Sequence, residues 1–146
     1  MSVFDQLSVK KTRPLPVFFL IDTSGSMKGQ KIEKVNLAYK DMLEKFLNIK
    51  NYRGDIHICV VTFGGKVKIE QNLSSIHECK PIHFTADGKT PMGEAFELVT
   101  HMIEDQTVVS RNSFTPVIVL ISDGIPTDIP YETYKIIRDN PIYDNY

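Results

Sequence analysis

The sequence predicts an α/β layer fold, a mostly parallel sheet covered by helices on both faces and carrying one antiparallel edge strand. Three observations carry this. Two runs of five apolar residues, 17–21 and 117–121, stop at or just before an aspartate, and uninterrupted apolar runs of that length suit strands buried on both faces. Two longer segments with helical apolar spacing alternate with the strands, the pattern of an α/β layer architecture. Finally, Gly64-Gly65 leads into a stretch of strict polar and apolar alternation, which marks a half-exposed antiparallel neighbour.

The first strand is Val17-Phe18-Phe19-Leu20-Ile21, bounded by Pro16 and by the polar turn that begins at Asp22. Residues 29–47 follow with apolar side chains at Ile32, Val35, Tyr39, Met42, Leu43, Phe46 and Leu47 and with lysines and glutamates between them; this is a helix with one apolar face. Residues 56–63 read as a second strand, and 66–71 as its antiparallel partner, with charges on one side as befits a sheet edge. Residues 72–89 show no regular pattern. A second amphipathic helix is predicted over 91–105, with Thr90 at its N-cap and Pro91 in its first turn. Residues 116–122 form a fourth strand and 131–138 a short helix. No repeat, linker or low-complexity segment interrupts the 146 residues, which are expected to form a single domain over 1–146.

Composition narrows the function. With 42% hydrophobic and 24% charged residues and a net charge of −1, nothing favours a nucleic acid or an anionic membrane as partner. No apolar run approaches the ~20 residues of a membrane span, and residues 1–16 lack the apolar core of a signal peptide. The expectation is a soluble cytoplasmic protein, its two cysteines, Cys59 and Cys79, free in a reducing compartment. The four histidines show no zinc-like spacing and are read as structural or solvated. The four tyrosines after residue 130 are read as packing or tail residues. Gly88-Lys89-Thr90 is not a phosphate-binding loop, because His83 stands where its first glycine is required.

The chemistry concentrates at strand ends. Asp22, Ser24 and Ser26 form D-x-S-x-S, one carboxylate and two hydroxyls on a loop expected to need Gly25. An oxygen-only set of this kind suits a hard cation, Mg²⁺ or Mn²⁺, which takes about six oxygens and retains water among them. Local capping is the alternative use for these hydroxyls. The fourth strand ends in Ser122-Asp123-Gly124, so two aspartates stand at carboxyl ends of strands, where α/β sheets gather their ligands.

With Asp22-Thr23-Ser24-Gly25-Ser26, Thr90 and Asp123 in this order, the chain resembles a von Willebrand factor A domain with a metal-ion-dependent adhesion site. The resemblance implies a three-layer, doubly wound Rossmann-like fold and a metal site at Asp22, Ser24, Ser26, Thr90 and Asp123. In that site the hydroxyls meet the metal directly or through water, and the aspartates largely support them. Few formal charges around the dication leave it electrophilic, so that a partner protein's Asp or Glu can complete its coordination. The run Thr90-Pro91-Met92-Gly93 and residues 123–128 look most like bacterial tellurium-resistance TerY-like proteins. That likeness implies a stress-response or defence setting with phosphatases and kinases as candidate partners.

The resemblance covers essentially the whole chain, whereas the family's domain continues for further strands and helices; the chain is short at its C-terminal side. The fourth strand is therefore expected to be an apolar sheet edge, a place for self-association, for exchange of segments with a second copy or for completion by other polypeptide. The rival reading is a phosphatase or phosphoryl-transfer enzyme with Asp22 as nucleophile. Ser24 stands where haloacid-dehalogenase-like phosphatases place a second acid, and no lysine and diacid set completes such a site. No enzyme activity is expected.

Overall fold

The computed structural model describes residues 13–49 and 54–124. Four strands form one sheet in the order β3-β2-β1-β4. They are β1 (Arg13–Asp22), β2 (Gly54–Gly64), β3 (Lys66–Ser75) and β4 (Val117–Ile121), and two helices, α1 (Gln30–Leu47) and α2 (Met92–Glu104), connect them. β1 runs parallel to β2, with Phe19 opposite Val60, and parallel to β4, with Phe19 opposite Val119. β3 returns antiparallel to β2 through Gly65, whose φ of 71° glycine tolerates without a side-chain clash.

The period of two in β1 builds both cores. Val17, Phe19 and Ile21 pack with Ile32, Val35, Tyr39 and Leu43 of α1. Phe18 and Leu20 point the other way, onto Met92, Ala95 and Val99 of α2. Alternate side chains thus pin one helix to each face, and the three-layer, mostly parallel α/β arrangement expected from the sequence is the one observed. The antiparallel strand β3 lies at one edge and β4, among the described residues, at the other.

Three strands extend past their expected ends, β2 slightly, over Gly54–Gly64 rather than 56–63, and β1 and β3 further. β1 begins at Arg13 rather than Val17 and contains both Pro14 and Pro16. The prolines are tolerated because β4 pairs with β1 only from Val17 onward, so their missing N–H groups leave no gap in the ladder; the Pro14 carbonyl instead accepts from Phe114 N–H at 2.8 Å. β3 continues to Ser75 through Asn72-Leu73-Ser74, a stretch expected to be irregular. Pairing of Ser74 with Ile58 and of Ser75 with His57 overrides its weak strand propensity. A single 3₁₀ turn, Ile76–Glu78, then closes the strand. The expected helix over 131–138 lies outside the described residues.

Cys59 and Cys79 are free thiols, and Cys59 is fully buried on the α2 side of the sheet. His57 hydrogen-bonds Asp55 through Nε2 at 2.9 Å. Among the described residues no helix is long and apolar enough to cross a membrane.

Candidate metal centre

β1 delivers Asp22, fully buried, to the carboxyl end of the sheet, and β4 ends one residue before Ser122. The two strands are neighbours, yet α1 leaves β1 over one face and α2 enters β4 from the other. Connections that diverge in this way open a crevice at the strand ends.

The Asp22 carboxylate is held on both oxygens. Ser24 N–H donates to Oδ1 at 2.9 Å and Ser122 Oγ–H to Oδ2 at 2.6 Å. From Ser24 a chain of side chains continues across the crevice: Ser24 Oγ lies 3.1 Å from Ser26 Oγ, and Ser26 donates to Asp123 Oδ1 at 3.0 Å. Because Ser26 gives its proton to Asp123, Ser24 is the donor in the serine pair, and lone pairs remain free on both hydroxyls. Lys31, in the first turn of α1, hydrogen-bonds the second Asp123 oxygen. That ammonium, and then the Ser26 hydroxyl, hold the Asp123 carboxyl below its usual range.

Thr90 enters differently. It is buried at the end of the loop that precedes α2, and this loop is laced through backbone to the D-x-S-x-S turn, where Gly25 N–H donates to Gly88 O at 2.9 Å and Asp87 N–H to Thr23 O at 2.7 Å, and to the β2–β3 turn, where Gly65 N–H donates to Lys89 O at 2.8 Å. The expected capping role is not observed. α2 begins at Met92, and Pro91 rather than Thr90 stands at its N-cap. So four of the five expected residues share one hydrogen-bonded chain, and Thr90 directly follows a loop that main-chain bonds tie to the same turn.

The turn does not need Gly25 as expected. A β-carbon there would meet Gly88 O at 3.6 Å, an ordinary contact. The crowded positions are Gly64, whose β-carbon would fall 2.0 Å from Thr23 O, and Gly88, at φ 82° and 2.6 Å from Gly65 Cα. Sequence reasoning also missed Ser122 and Lys31. Ser122 carried a signal, a hydroxyl immediately after a buried strand and before an aspartate. Lys31 carried none, being one lysine among several on an amphipathic helix.

The donor set fits a hard divalent cation. Around an ion with oxygens at about 2.1 Å, neighbouring octahedral ligands lie about 3.0 Å apart, close to the 3.1 Å between the two serine hydroxyls. Among the described residues no three His, Cys, Asp or Glu side chains cluster to hold a metal, so a cation at these strand ends depends on hydroxyl oxygens.

Comparison with known proteins agrees with this architecture. A sequence model of the von Willebrand factor type A domain matches residues 17–143. No curated protein matches the chain significantly. Among solved structures, the ArnB paralog VWA2 of Sulfolobus acidocaldarius is similar over 85% of this chain and 31% of its own, at 22% identity and a TM-score of 0.58. The von Willebrand factor domain of the type V pilus tip protein Mfa5 of Porphyromonas gingivalis matches 83% of this chain and 43% of its own, at 18% identity and a TM-score of 0.53. Proximal thread matrix protein 1 of the mussel byssus, solved with zinc in its MIDAS motif, matches 80% of this chain and 30% of its own, at 21% identity and a TM-score of 0.55. The chain thus spans less than half the length of each of these structures, and at such identities the likeness is one of fold.

Proposed function

Because the chain belongs to the von Willebrand factor type A family, we propose that it is a protein-interaction module whose contact is completed by a divalent cation held at Asp22, Ser24, Ser26, Thr90 and Asp123. The observation that carries this is the hydrogen-bonded chain from Asp22 through Ser24 and Ser26 to Asp123, which joins residues 101 positions apart around free hydroxyl lone pairs. Asp22, fixed on both oxygens, orients the turn. Ser24 and Ser26 present neutral oxygens, with Thr90 on the adjoining loop as the third hydroxyl. A dication held mainly by neutral oxygens stays electrophilic and offers its open position to an Asp or Glu of a partner protein.

Mg²⁺ or Mn²⁺ is the proposed ion, since every donor is a hard oxygen; the zinc-occupied MIDAS motif of the mussel protein supports a divalent ion at such a motif. The TerY-like setting belongs to the same proposal: a cytoplasmic bacterial module of tellurium resistance, stress response or defence, with a phosphatase or kinase as partner. Titration calorimetry with Mn²⁺ and Mg²⁺ on the wild type, Ser24→Ala and Asp123→Ala tests the site. Binding is expected to be lost or weakened at least tenfold in both variants, and equal affinity in all three proteins would overturn it.

We further propose that the module performs no hydrolysis. Asp22 is buried, with both carboxylate oxygens engaged by Ser24 and Ser122, which is an anchor's environment rather than an attacking nucleophile's. Turnover of p-nitrophenyl phosphate with Mn²⁺ present is expected to be absent, and turnover abolished by Asp22→Asn would revive the phosphatase reading.

A further inference from the structure

Lys31 stands in the first turn of α1, where a positive charge opposes the helix dipole instead of complementing it. Its ammonium nevertheless reaches back across the crevice to Asp123, on the oxygen that Ser26 does not occupy. Both carboxylate oxygens of Asp123 are thereby engaged, one by a hydroxyl and one by a full positive charge. The Lys31 side chain is 57% exposed and that of Asp123 22%, so the lysine can swing into water without unpacking the core.

We propose that Lys31 is a tethered substitute for the metal. It neutralises Asp123 while no cation is bound and withdraws as a divalent ion takes its place, so it sets the threshold concentration at which the centre fills. This rests on the metal reading above. A dication and an ammonium a few ångströms apart repel, so Lys31 leaves as the ion arrives, and the ion pair it gives up with Asp123 is a cost of metal binding. The same side chain confers selectivity against monovalent ions, whose weaker field cannot displace an ammonium from a carboxylate.

The test is titration calorimetry with Mn²⁺ on the intact chain and on Lys31→Met, Lys31→Arg, Lys34→Met and Ser24→Ala, each first confirmed to melt cooperatively. Lys34 lies one turn further along α1 and is exposed, so its removal matches the change in net charge without touching Asp123. Lys31→Met is expected to bind Mn²⁺ on the order of tenfold tighter than wild type, whereas Lys31→Arg and Lys34→Met stay within about twofold. Binding by Lys31→Met alone, with none by the wild type, would support the proposal in its strongest form. If Lys31→Met binds no tighter than wild type while Ser24→Ala loses the ion, the proposal falls and the metal centre stands. If neither the wild type nor Lys31→Met binds Mn²⁺, the metal reading falls and this proposal with it.

Discussion

A methyl group at Gly64 would fall 2.0 Å from the carbonyl oxygen of Thr23 and 2.3 Å from its carbon, so Gly64→Ala must push β2 away from the turn that carries Ser24 and Ser26. We expect a loss of about 3 kcal/mol, read as a lower urea midpoint, together with weakened Mn²⁺ binding. Gly25→Ala, inside the motif itself, meets only an ordinary contact and is expected to change stability by less than about 1 kcal/mol. A second residue with a sharp expectation is Cys59. Burial pushes its thiol from 9.0 up to about 12, so between those values the unfolded chain loses its proton first and the folded state is progressively disfavoured as pH rises. Cys59→Val should therefore lose less stability than wild type between pH 9 and pH 10, by up to about 1 kcal/mol in urea denaturation. Asp22, Ser24 and Ser26 were legible because their spacing is local and their donor chemistry is written in the side chains. Thr90 and Asp123 became candidates only through the family resemblance and the strand ends. Ser122 and Lys31 act through contacts spanning 100 and 92 positions, which no local pattern encodes.

At the scale of single elements, α1 is anchored by Tyr39, whose ring meets Phe19 and Phe84 edge-on at 6.2 and 5.3 Å. Its hydroxyl is buried with no hydrogen-bond partner among the described residues, and burial, followed by the nearby Cys79 and Cys59, raises its ionisation far above the usual value. A buried hydroxyl without a partner keeps its desolvation cost uncompensated. Tyr39→Phe retains both ring contacts and is expected to leave the helix in place and stabilise the chain by up to about 1 kcal/mol, measured by thermal or urea unfolding. The strands and helices that fill the two cores were legible because each obeys one period: uninterrupted apolar runs for β1 and β4, helical spacing for α1 and α2. The last residues of β3 were not, because Asn72, Ser74 and Ser75 have turn chemistry of their own and become strand only when β2 supplies the partner. The prolines of β1 misled for a related reason: whether Pro14 and Pro16 end a strand depends on which neighbour faces their missing N–H.

At the scale of the whole molecule, the sheet's two edges among the described residues are unlike. β3 carries lysines and a glutamate, a protected edge. β4 is wholly apolar and Leu120 is 39% exposed. We expect the chain to self-associate through β4 at tens of micromolar, and Leu120→Lys to shift light scattering toward monomer; a monodisperse wild-type monomer at that concentration would overturn this expectation. The central place of β1, paired with a strand from the far end of the described chain, also orders events in time. At a synthesis rate of roughly 5–20 residues per second, Asp22 leaves the ribosome about 5–20 s before Ser122, its partner 100 positions later. Throughout that interval the D-x-S-x-S turn has neither the hydroxyl that fixes its aspartate nor the carboxylate that receives Ser26. A nascent chain therefore cannot close the hydrogen-bonded chain from Asp22 to Asp123, and under the proposed function completion of β4 is the clock on which metal binding and recognition would begin.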